Sequence, residues 1–359
     1  MTEFQSELFD EYADTAREKG LLPVKVTDFY LKKVREETAA IGSGGPLYKT
    51  VFPTPERLLL FAKNETDDFI DEESNTPLDG APYIIQKYAD RLAFLTCSEC
   101  FAHCQYCFRT YKFTKESNKR DVSLEEKIQT AREFLKKRPG VKEVILTGGD
   151  PLTLCESALE CVFSALKERG IRIHTRAVVW KPEIFTDGII RLLKKYGVRI
   201  VFHINHPYEI CEVVEDKIEK MRREGVRMYA QFPLLRGIND CAVVITELLE
   251  KLDSLYVRPL SVFITEPNKF SASFRVSFSR IEEIIDYVNW RTPSWINAAR
   301  FVLDTKIGKV RRENIIEKKG DKIIFEREGK KVIYTDFPQE IDEKGVEEML
   351  LWKTRRRKI

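Results

Sequence analysis

The sequence predicts an α/β protein built around a partial, TIM-like (βα)6 barrel, with a helical extension before it and a small β-containing extension after it. Two observations predict this fold. Short apolar or β-branched runs recur along the middle of the chain, and segments of helical periodicity that end near a glycine or turn separate them. The runs lie at 91–96, 144–146, 171–174, 199–204, 227–232 and 257–264.

The spacing of these runs sets the size of the barrel. From the second run to the fifth, each begins about 28 residues after the one before, which is room for a strand, a crossover helix and two loops. Six such units fall short of the eight that close a TIM barrel, so we expect an open barrel. Reactive residues in such a barrel should lie at the carboxyl ends of the strands.

The sequence pattern changes on either side of the barrel. Residues 26–40 have the apolar spacing of a helix. The C-terminal region predicts a β-hairpin over 314–317 and 322–326, a strand over 331–335 and a charged helix from about Asp342. We therefore divide the chain into three regions: an N-terminal helical extension at 1–88, the barrel at 89–304, and a C-terminal extension with a loop, hairpin and basic tail at 305–359.

Composition indicates a globular protein and argues against a basic nucleic-acid-binding body. The 359 residues are 43% hydrophobic and 33% charged, which is enough apolar material for a sizeable core. The formal net charge is +3, and five positive charges fall in the last seven residues: Lys353, Arg355, Arg356, Arg357 and Lys358. Because the rest of the chain is slightly acidic, we interpret this tail as a solvated end that could touch an anionic partner.

The sequence predicts a cytoplasmic protein with reduced thiols. No apolar run reaches the roughly 18 residues that a membrane span needs. The N-terminus is acidic where a signal peptide would be basic and then apolar. Eight cysteines in a chain of this length are too few for a disulfide scaffold.

A cluster of cysteines follows the first predicted strand. The segment TCSECFAHCQYCFR contains Cys97, Cys100, Cys104 and Cys107. Structural zinc sites usually pair CxxC units some distance apart, or CxxC with His, whereas the last three cysteines here read CxxxCxxC. Three thiolates can ligate three irons of a [4Fe-4S] cluster and leave the fourth iron open. Cys97 is either the fourth ligand or, as we favour because it ends an apolar strand, a buried free thiol.

The cysteine loop and the next strand resemble the radical S-adenosylmethionine (SAM) superfamily. CxxxCxxC directly after the first strand of a βα barrel is similar to its cluster motif. The triplet Gly148, Gly149 and Asp150 in VILTGGDPL is similar to its GGE-type motif. The resemblance implies a radical SAM barrel in which the last three cysteines hold the cluster, SAM chelates the open iron, and the triplet binds the methionine amino group. Cleavage of SAM would then give a 5′-deoxyadenosyl radical that abstracts a substrate hydrogen.

Longer segments narrow the resemblance to the lysine 2,3-aminomutase family. They follow the family's order, extend over about 45–337, and include YADRLAFLTCSECFAHCQYCFR, LTGGDPLTL, HINHPYEI, QFPLLRGINDC and FVLDTKIGKV. Members of this family use SAM reversibly, together with pyridoxal 5'-phosphate (PLP), to move an α-amino group to the β-carbon. The resemblance therefore implies an isomerase, an intramolecular aminotransferase, that acts on lysine or a related basic amino acid.

The resemblance also indicates which lysine would hold PLP. The family's PLP lysine follows an Asp in a Gly-rich segment that ends in GK, and this pattern points to Lys309, with Lys306 as the second candidate. PLP enzymes need such a lysine because its amine holds the cofactor covalently. The family's run of glycines is reduced here to Gly308, in a shorter loop. The alternative is that Lys309 is a solvated residue in a charged loop.

Arg109, Glu266 and Asp304 match substrate contacts of the family. Arg109 corresponds to the arginine that binds the substrate carboxylate, a task that suits a planar, two-pronged donor. Asp304 and Glu266 correspond to the two acidic residues that bind the distal ammonium of lysine. A pair of carboxylates favours a basic amino acid and would repel glutamate. Glu266 replaces an Asp of the family, so the pocket could favour a shorter or differently placed amine.

Polar residues at the ends of later strands complete the predicted site. We expect His203 and Asn205, in the segment HINH, and Gln231 in the next strand to line the cavity beside SAM or PLP. His206 is a further candidate. Cys241 matches a family cysteine that joins a zinc site with cysteines near the C-terminus, but no cysteine follows it here, so we expect no zinc. The family also implies a flavodoxin- or ferredoxin-type reductant and a homo-oligomer.

Other functions remain open from the sequence. A bacterial branch of the family, which serves the β-lysylation of translation factor P, also contains YCFR and GGDPL; the acidic pair favours the free-lysine mutases over it. A radical SAM enzyme of another reaction type would bind the cluster without PLP. A non-catalytic iron–sulfur sensor, or a protein that binds RNA through its basic tail, would need neither Lys309 nor the acidic pair.

Overall fold

The main sheet has eight strands that follow one another in chain order. The computed structural model describes residues 12–78, 81–116, 122–337 and 351–355. Strands β2 to β8 are parallel, and β1 pairs antiparallel with β2. Within the described residues β8 does not pair with β1, so the barrel is open. The strands are β1 Ile84–Tyr88, β2 Arg91–Cys97, β3 Glu143–Gly148, β4 Gly170–Thr175, β5 Arg199–Phe202, β6 Arg227–Leu234, β7 Arg258–Ile264 and β8 Arg300–Val302.

Helices connect the parallel strands and cover the outside of the sheet. The α-helices are α1 12–19, α2 Asp28–Ile41, α3 Pro46–Val51, α4 Pro55–Leu59, α5 Thr110–Glu116, α6 Leu124–Lys136, α7 Glu156–Leu166, α8 Ala177–Trp180, α9 Asp187–Lys195, α10 Glu212–Arg223, α11 Ala242–Ser254, α12 Phe278–Arg291 and α13 Trp352–Arg355. Short 3₁₀ turns lie at Pro151–Thr153, Pro182–Ile184, Pro207–Glu209, Ala272–Phe274 and Arg312–Asn314. No helix in the described ranges is both long enough and apolar enough to span a bilayer.

The six predicted strands are confirmed as β2 to β7. The structure adds β1 and β8, one at each edge of the sheet. β1 falls in the range that we assigned to the N-terminal extension, and it was missed because only its first two residues, Ile84 and Ile85, are buried. β8 has three residues and begins with the exposed Arg300, so it lacks the length of a recognisable apolar run.

Alternation along the strands separates the core from the barrel interior. On β4, Ile171 and Ile173 are buried in the main hydrophobic core. Between and beyond them, Arg172 and His174 line the interior cavity. Because successive side chains of a strand point to opposite faces, one short strand contributes both to the core and to a polar interior.

The C-terminal extension forms a separate antiparallel sheet of three strands in the order β11-β10-β9. The predicted hairpin and third strand are confirmed as β9 Ile315–Lys319, β10 Lys322–Arg327 and β11 Lys330–Thr335. This sheet packs on α12, where the ring of Phe278 contacts those of Phe325 and Tyr334. The predicted charged helix from about Asp342 begins outside the described residues.

Candidate active site

One cavity of about 390 Å³ opens at the carboxyl ends of the barrel strands and extends into the barrel. It is lined by nearly all the predicted site residues, which come from six strands and the loops that follow them. These residues are Cys100, Cys104, Cys107, Arg109, Gly148, Gly149, Asp150, His203, Gln231, Glu266, Asp304 and Lys309. Residues that are far apart in the sequence therefore share one chamber, which is the usual place for ligands in this kind of barrel.

The N-terminal extension fixes the cysteine loop over the cavity. The backbone N–H of His103 donates to the carbonyl of Lys25 at 2.9 Å, and that of Gln105 donates to the carbonyl of Thr50 at 3.0 Å. Gln105 also donates through Nε2 to the carbonyl of Val51 at 3.2 Å. The loop is thus held by backbone contacts, which leaves its cysteine side chains available.

The three thiols of the CxxxCxxC motif fit a [4Fe-4S] cluster. Cys100, Cys104 and Cys107 are free and line the same cavity. Burial raises the pKa of all three thiols, and for Cys100 the neighbouring Asp150 and the other two thiols add to the rise. Among the described residues, no three His, Cys, Asp or Glu side chains converge to hold a single ion. A [4Fe-4S] cluster needs no such convergence, because each cysteine binds a different iron.

Cys97 is not among the residues that line the cavity. Its Sγ lies 3.3 Å from the carbonyl oxygen of Asp150, to which it donates, and it accepts a hydrogen bond from Thr153 Oγ1 at 3.6 Å. This placement agrees with a free thiol at the end of a strand.

The two glycines at the end of β3 let the cysteine loop approach the strand closely. Gly148 has a φ of 114°, and its Cβ, if it had one, would lie 2.3 Å from the carbonyl oxygen of Cys97. A Cβ on Gly149 would lie 2.0 Å from the carbonyl oxygen of Glu99. The backbone N–H of Gly149 donates to the Cys97 carbonyl at 2.7 Å. Any larger residue would therefore push the cysteine loop away from the sheet.

The carboxylate of Asp150 accepts hydrogen bonds from residues at the end of the neighbouring strand, β4. It accepts hydrogen bonds from Thr175 Oγ1 at 2.8 Å and from the backbone N–H groups of Arg176 at 2.9 Å and Leu152 at 3.1 Å. Burial raises its pKa, although these hydrogen bonds oppose the rise. Asp150 thus joins the ends of β3 and β4, and its binding to a methionine ammonium stays a prediction.

At one end of the cavity, Arg109 forms a buried ion pair with Glu72; we call Arg109, Lys112 and Glu72 the arginine end. Arg109 Nη2 lies 2.6 Å from Glu72 Oε1, and the two side chains are 10% and 12% exposed. Arg109 Nη1 donates to Thr147 Oγ1 at 2.8 Å. Burial raises the pKa of Glu72, but the charge and hydrogen bonds of Arg109, together with the charges of Lys112 and Lys87, outweigh this effect and leave the pKa below its usual range.

A second charged group in the same cavity consists of the two predicted acidic residues and a lysine; we call Asp304, Glu266 and Lys87 the acidic end. Lys87 Nζ lies 3.0 Å from Asp304 Oδ1 and donates to the carbonyl of Ile70 at 2.9 Å. Burial, and after it the negative charge of Asp304, raises the pKa of Glu266 to about 8. Below this pH Glu266 is mostly protonated in the free protein, so Asp304 and Lys87 are the main charges there.

Lys309 lies in the cavity on a tight loop. Leu303 and Val310 exchange two backbone hydrogen bonds of 2.9 Å, and the N–H of Gly308 donates to the carbonyl of Thr305 at 2.9 Å, which closes the turn. Lys309 Nζ lies 4.5 Å from the centroid of the Phe263 ring. Burial lowers the pKa of this amine, and Asp304 opposes the shift. The alternative lysine, Lys306, is exposed on the same turn and does not line the cavity.

Two neutral histidines and a glutamine form part of the barrel interior. Gln231 Nε2 lies 2.9 Å from His203 Nε2 and 3.2 Å from His174 Nδ1. Burial lowers the pKa of His203 to about 3 and that of His174 well below its usual value. Because an amide NH₂ group donates, the two imidazole nitrogens that face it are acceptors.

Asn205 does not line the cavity but lies behind its wall. Its side-chain Nδ2 donates to the hydroxyl of Tyr106, which lies between the second and third cysteines of the motif. The same hydroxyl accepts a hydrogen bond from Arg176 Nη1 at 2.8 Å, and Arg176 pairs with the buried Glu209 at 2.5 Å. Asn205 is thus connected to the cysteine loop through Tyr106. His206 is buried and accepts a hydrogen bond from the backbone N–H of Tyr208.

Some cavity residues were missed by the sequence analysis. Arg172 and His174 could have been found, because polar residues alternate there with isoleucines on a strand that should be buried on both faces. Glu72 and Lys87 had no such signal, since they lie outside any recognised motif. Cys241 is a buried free thiol, and the expectation that it holds no zinc stays a prediction.

The chain is similar to a known protein superfamily and to several curated proteins. A family model described as the radical SAM superfamily matches residues 95–249. The L-lysine 2,3-aminomutase of Methanococcus maripaludis is 31% identical over 307 residues, which are 84% of this chain and 68% of that protein. The L-lysine 2,3-aminomutase of Clostridium subterminale is 29% identical, over 85% of this chain and 72% of that one.

A relative with a different name matches a shorter part of the chain. The glutamate 2,3-aminomutase of Clostridioides difficile is 31% identical over 243 residues, which are 66% of this chain and 56% of that protein. Both names describe 2,3-aminomutases, and they differ in the amino acid. Together with the three free thiols after the first parallel strand, these similarities show that the chain belongs to the lysine 2,3-aminomutase family of the radical SAM superfamily.

Proposed function

We propose that the protein is a radical SAM, PLP-dependent 2,3-aminomutase that moves the α-amino group of lysine or a related basic amino acid to the β-carbon. One observation carries the proposal: the three thiols of the CxxxCxxC motif and the buried amine of Lys309 line the same cavity. A cluster-binding protein without this reaction would have no need of an amine of lowered pKa in the same cavity as its cluster.

The residues present fit both cofactors. Cys100, Cys104 and Cys107 would hold the cluster, and the backbone of Gly148 and Gly149 borders the space for SAM. Lys309 would hold PLP, because burial lowers the pKa of its amine and so favours the neutral, nucleophilic form. When bound, the cluster with SAM supplies a radical that abstracts hydrogen, and PLP carries the migrating nitrogen.

The charges at the two ends of the cavity support a basic amino acid as substrate. At the arginine end, Arg109 keeps two N–H groups that no described residue accepts, one on each Nη nitrogen, so it can bind a carboxylate. The acidic end has two carboxyl groups, on Asp304 and Glu266, and one ammonium, so it can accept one further ammonium if Glu266 ionises. A substrate with a carboxylate at one end and an amine at the other matches both ends.

The protein's own residues would then orient the substrate rather than react with it. Arg109 and Asp304 would hold the two ends, which fixes the carbon atoms between them relative to the cofactors. His203 and Gln231 contribute polar but uncharged side chains to the interior, because burial lowers the pKa of His203 to about 3. The flavodoxin- or ferredoxin-type reductant, the homo-oligomer and the cytoplasmic location stay predictions.

The experiment is anaerobic incubation of the protein with SAM, PLP, a reductant and single amino acids, with products identified by mass spectrometry. We expect conversion of L-lysine to β-lysine, or of a related basic amino acid such as ornithine or arginine to its β-isomer, and no conversion of glutamate. Conversion of glutamate alone would reject the basic substrate. A protein that binds the cluster but neither PLP nor any amino acid would support a different radical reaction or an iron–sulfur sensor.

A further inference from the structure

Glu72 holds one edge of the Arg109 guanidinium. Its Oε1 accepts hydrogen bonds from Nη2 at 2.6 Å and from Nε at 3.1 Å, and Thr147 Oγ1 accepts one from Nη1 at 2.8 Å. A guanidinium has five N–H groups. Two of them, one on each Nη nitrogen, therefore have no partner among the residues that the structure describes.

We propose that Glu72 is a positioning residue for the substrate carboxylate, which fixes Arg109 so that its two remaining N–H groups face the cavity. The inference rests on the proposed function, because it takes the substrate to be an amino acid whose carboxylate binds Arg109. Glu72 itself does not touch the substrate in this arrangement. It acts through Arg109 by occupying the edge that Nε and Nη2 form, which leaves one N–H group on each Nη nitrogen for the ligand.

The charges at the arginine end favour a Glu72 that stays in place when the substrate binds. Lys112 Nζ lies 3.9 Å from Glu72 Oε2, so Glu72 is shared between two cations. Lys112 and Arg109 are both mostly buried, at 13% and 10% exposed. Expulsion of Glu72 would separate its charge from both cations, whereas a carboxylate that binds the remaining N–H groups of Arg109 leaves these ion pairs in place.

The segment 66–76, which contains Glu72, is hydrogen-bonded to the barrel by contacts outside the arginine end. The backbone N–H of Gln86 on β1 donates to the carbonyl of Asn75 at 2.8 Å, and the N–H of Thr66 donates to the carbonyl of Pro267 at 2.9 Å. Thr76 Oγ1 donates to the carbonyl of Glu72 at 3.0 Å. These hydrogen bonds oppose a movement that would withdraw Glu72 from Arg109.

The alternative role for Glu72 is that of a competitor, which occupies Arg109 until a substrate carboxylate displaces it. The two roles predict opposite results. Removal of a competitor would strengthen the binding of carboxylates, whereas removal of a positioning residue would weaken it. Under either role, removal of Glu72 should not alter the binding of compounds that lack a carboxylate. Such compounds therefore test whether the effect is specific to carboxylates.

The test compares the wild-type holoenzyme with Glu72→Ala, Glu72→Gln and Glu73→Ala. Glu73 is the matched control, because it is an exposed neighbour on the same segment. The KM and kcat for L-lysine are measured, together with the inhibition constants of norleucine, which has the carboxylate but no distal amine, and of 1,5-diaminopentane, which has two amines and no carboxylate. Thermal unfolding is recorded for each variant.

For Glu72→Ala we expect KM for lysine and the inhibition constant of norleucine to rise on the order of tenfold, equal to about 1.4 kcal/mol. The inhibition constant of 1,5-diaminopentane should not change. Glu72→Gln should show a smaller rise, because its amide oxygen still accepts a hydrogen bond from Arg109, and it keeps the test valid if Glu72→Ala does not fold. Glu73→Ala should behave as the wild type.

Two results would overturn this inference without affecting the proposed function. A lower KM for lysine in the Glu72 variants would indicate that Glu72 is a competitor. A parallel rise in the inhibition constant of 1,5-diaminopentane would indicate only a general loosening of the cavity. A wild-type enzyme that neither converts lysine nor is inhibited by norleucine would instead remove the proposed function, and the inference with it.

Discussion

The ammonium of Lys87 lies 3.0 Å from Oδ1 of Asp304, and the two side chains are 14% and 19% exposed. The same ammonium donates to the carbonyl of Ile70 at 2.9 Å, so it connects the acidic end with the segment that carries Glu72. In the free protein, Asp304 thus already has an internal cation as its partner. An incoming substrate amine must share Asp304 with Lys87 or displace it.

We expect Lys87→Met to strengthen the binding of lysine. Loss of a cation beside Asp304 makes the acidic end more negative, and this should lower KM for L-lysine by roughly fivefold, about 1 kcal/mol. Steady-state kinetics with the exposed Lys319→Met as a control measures the effect. An increase in KM would show that Lys87 supports the site rather than competes for it.

Asp304→Asn should impair lysine turnover far more than SAM cleavage. The substitution keeps the shape but removes the charge that faces the distal amine, and loss of one partner of such a buried pair costs about 2 kcal/mol or more, roughly thirtyfold. Formation of 5′-deoxyadenosine reports SAM cleavage, and β-lysine reports turnover. The exposed Asp253→Asn is the control. Equal loss of both activities would contradict the assignment of Asp304 to the substrate.

Lys309 and Lys306 can be distinguished by the absorbance of lysine-bound PLP. Lys309 lines the cavity and burial lowers the pKa of its amine, whereas Lys306 is exposed on the same turn. We expect the absorbance band to disappear in Lys309→Ala and to persist in Lys306→Ala. The reverse pattern would move the cofactor to Lys306, and a band in both variants would place PLP on another lysine.

Glu266 should make the protein less stable as the pH rises. Burial and Asp304 raise its folded-state pKa to about 8, whereas an unfolded Glu titrates near 4.3. The folded state therefore holds a proton that the unfolded state has lost, so the stability that Glu266 contributes is fully present below about pH 4.3 and is lost as the pH rises through 8.

The measurement is the thermal midpoint of the wild type and of Glu266→Gln between pH 4.5 and 8.5. Relative to the variant, the wild type should lose stability steadily over this interval, because glutamine does not titrate. Glu317→Gln, at an exposed position, should follow the wild type. Parallel curves for the wild type and Glu266→Gln would mean that the carboxyl titrates near its ordinary pKa.

The central strands were predictable because their β-branched runs recur with a regular spacing. The sheet edges were not, since β1 is only half buried and β8 has three residues. The boundary at residue 88 followed the change in pattern at Arg91, but the strand that pairs there with β2 begins at Ile84. Periodicity therefore identified the interior of the sheet and not its ends.

The site residues that belong to a recognisable sequence motif were predictable. The cysteine triad, Arg109, Asp304 and Lys309 were found by resemblance, and the structure brings them to one cavity. Glu72 and Lys87 could not be found, because their importance comes from ion pairs across 37 and 217 positions of the sequence. Asn205 shows the opposite error of prediction, because a residue was expected in the cavity that does not line it. Its side chain lies behind the cavity wall, where it donates a hydrogen bond to Tyr106.

The central claim, that nitrogen moves from the α-carbon to the β-carbon of a basic amino acid, is tested most directly with lysine that carries ¹⁵N on its α-amino group. The holoenzyme is incubated anaerobically with this substrate, SAM, PLP and a reductant, and the product is examined by NMR. We predict β-lysine with ¹⁵N bonded to C3. Recovery of lysine with the label still on C2, with no conversion of any diamino acid or arginine, would contradict the claim.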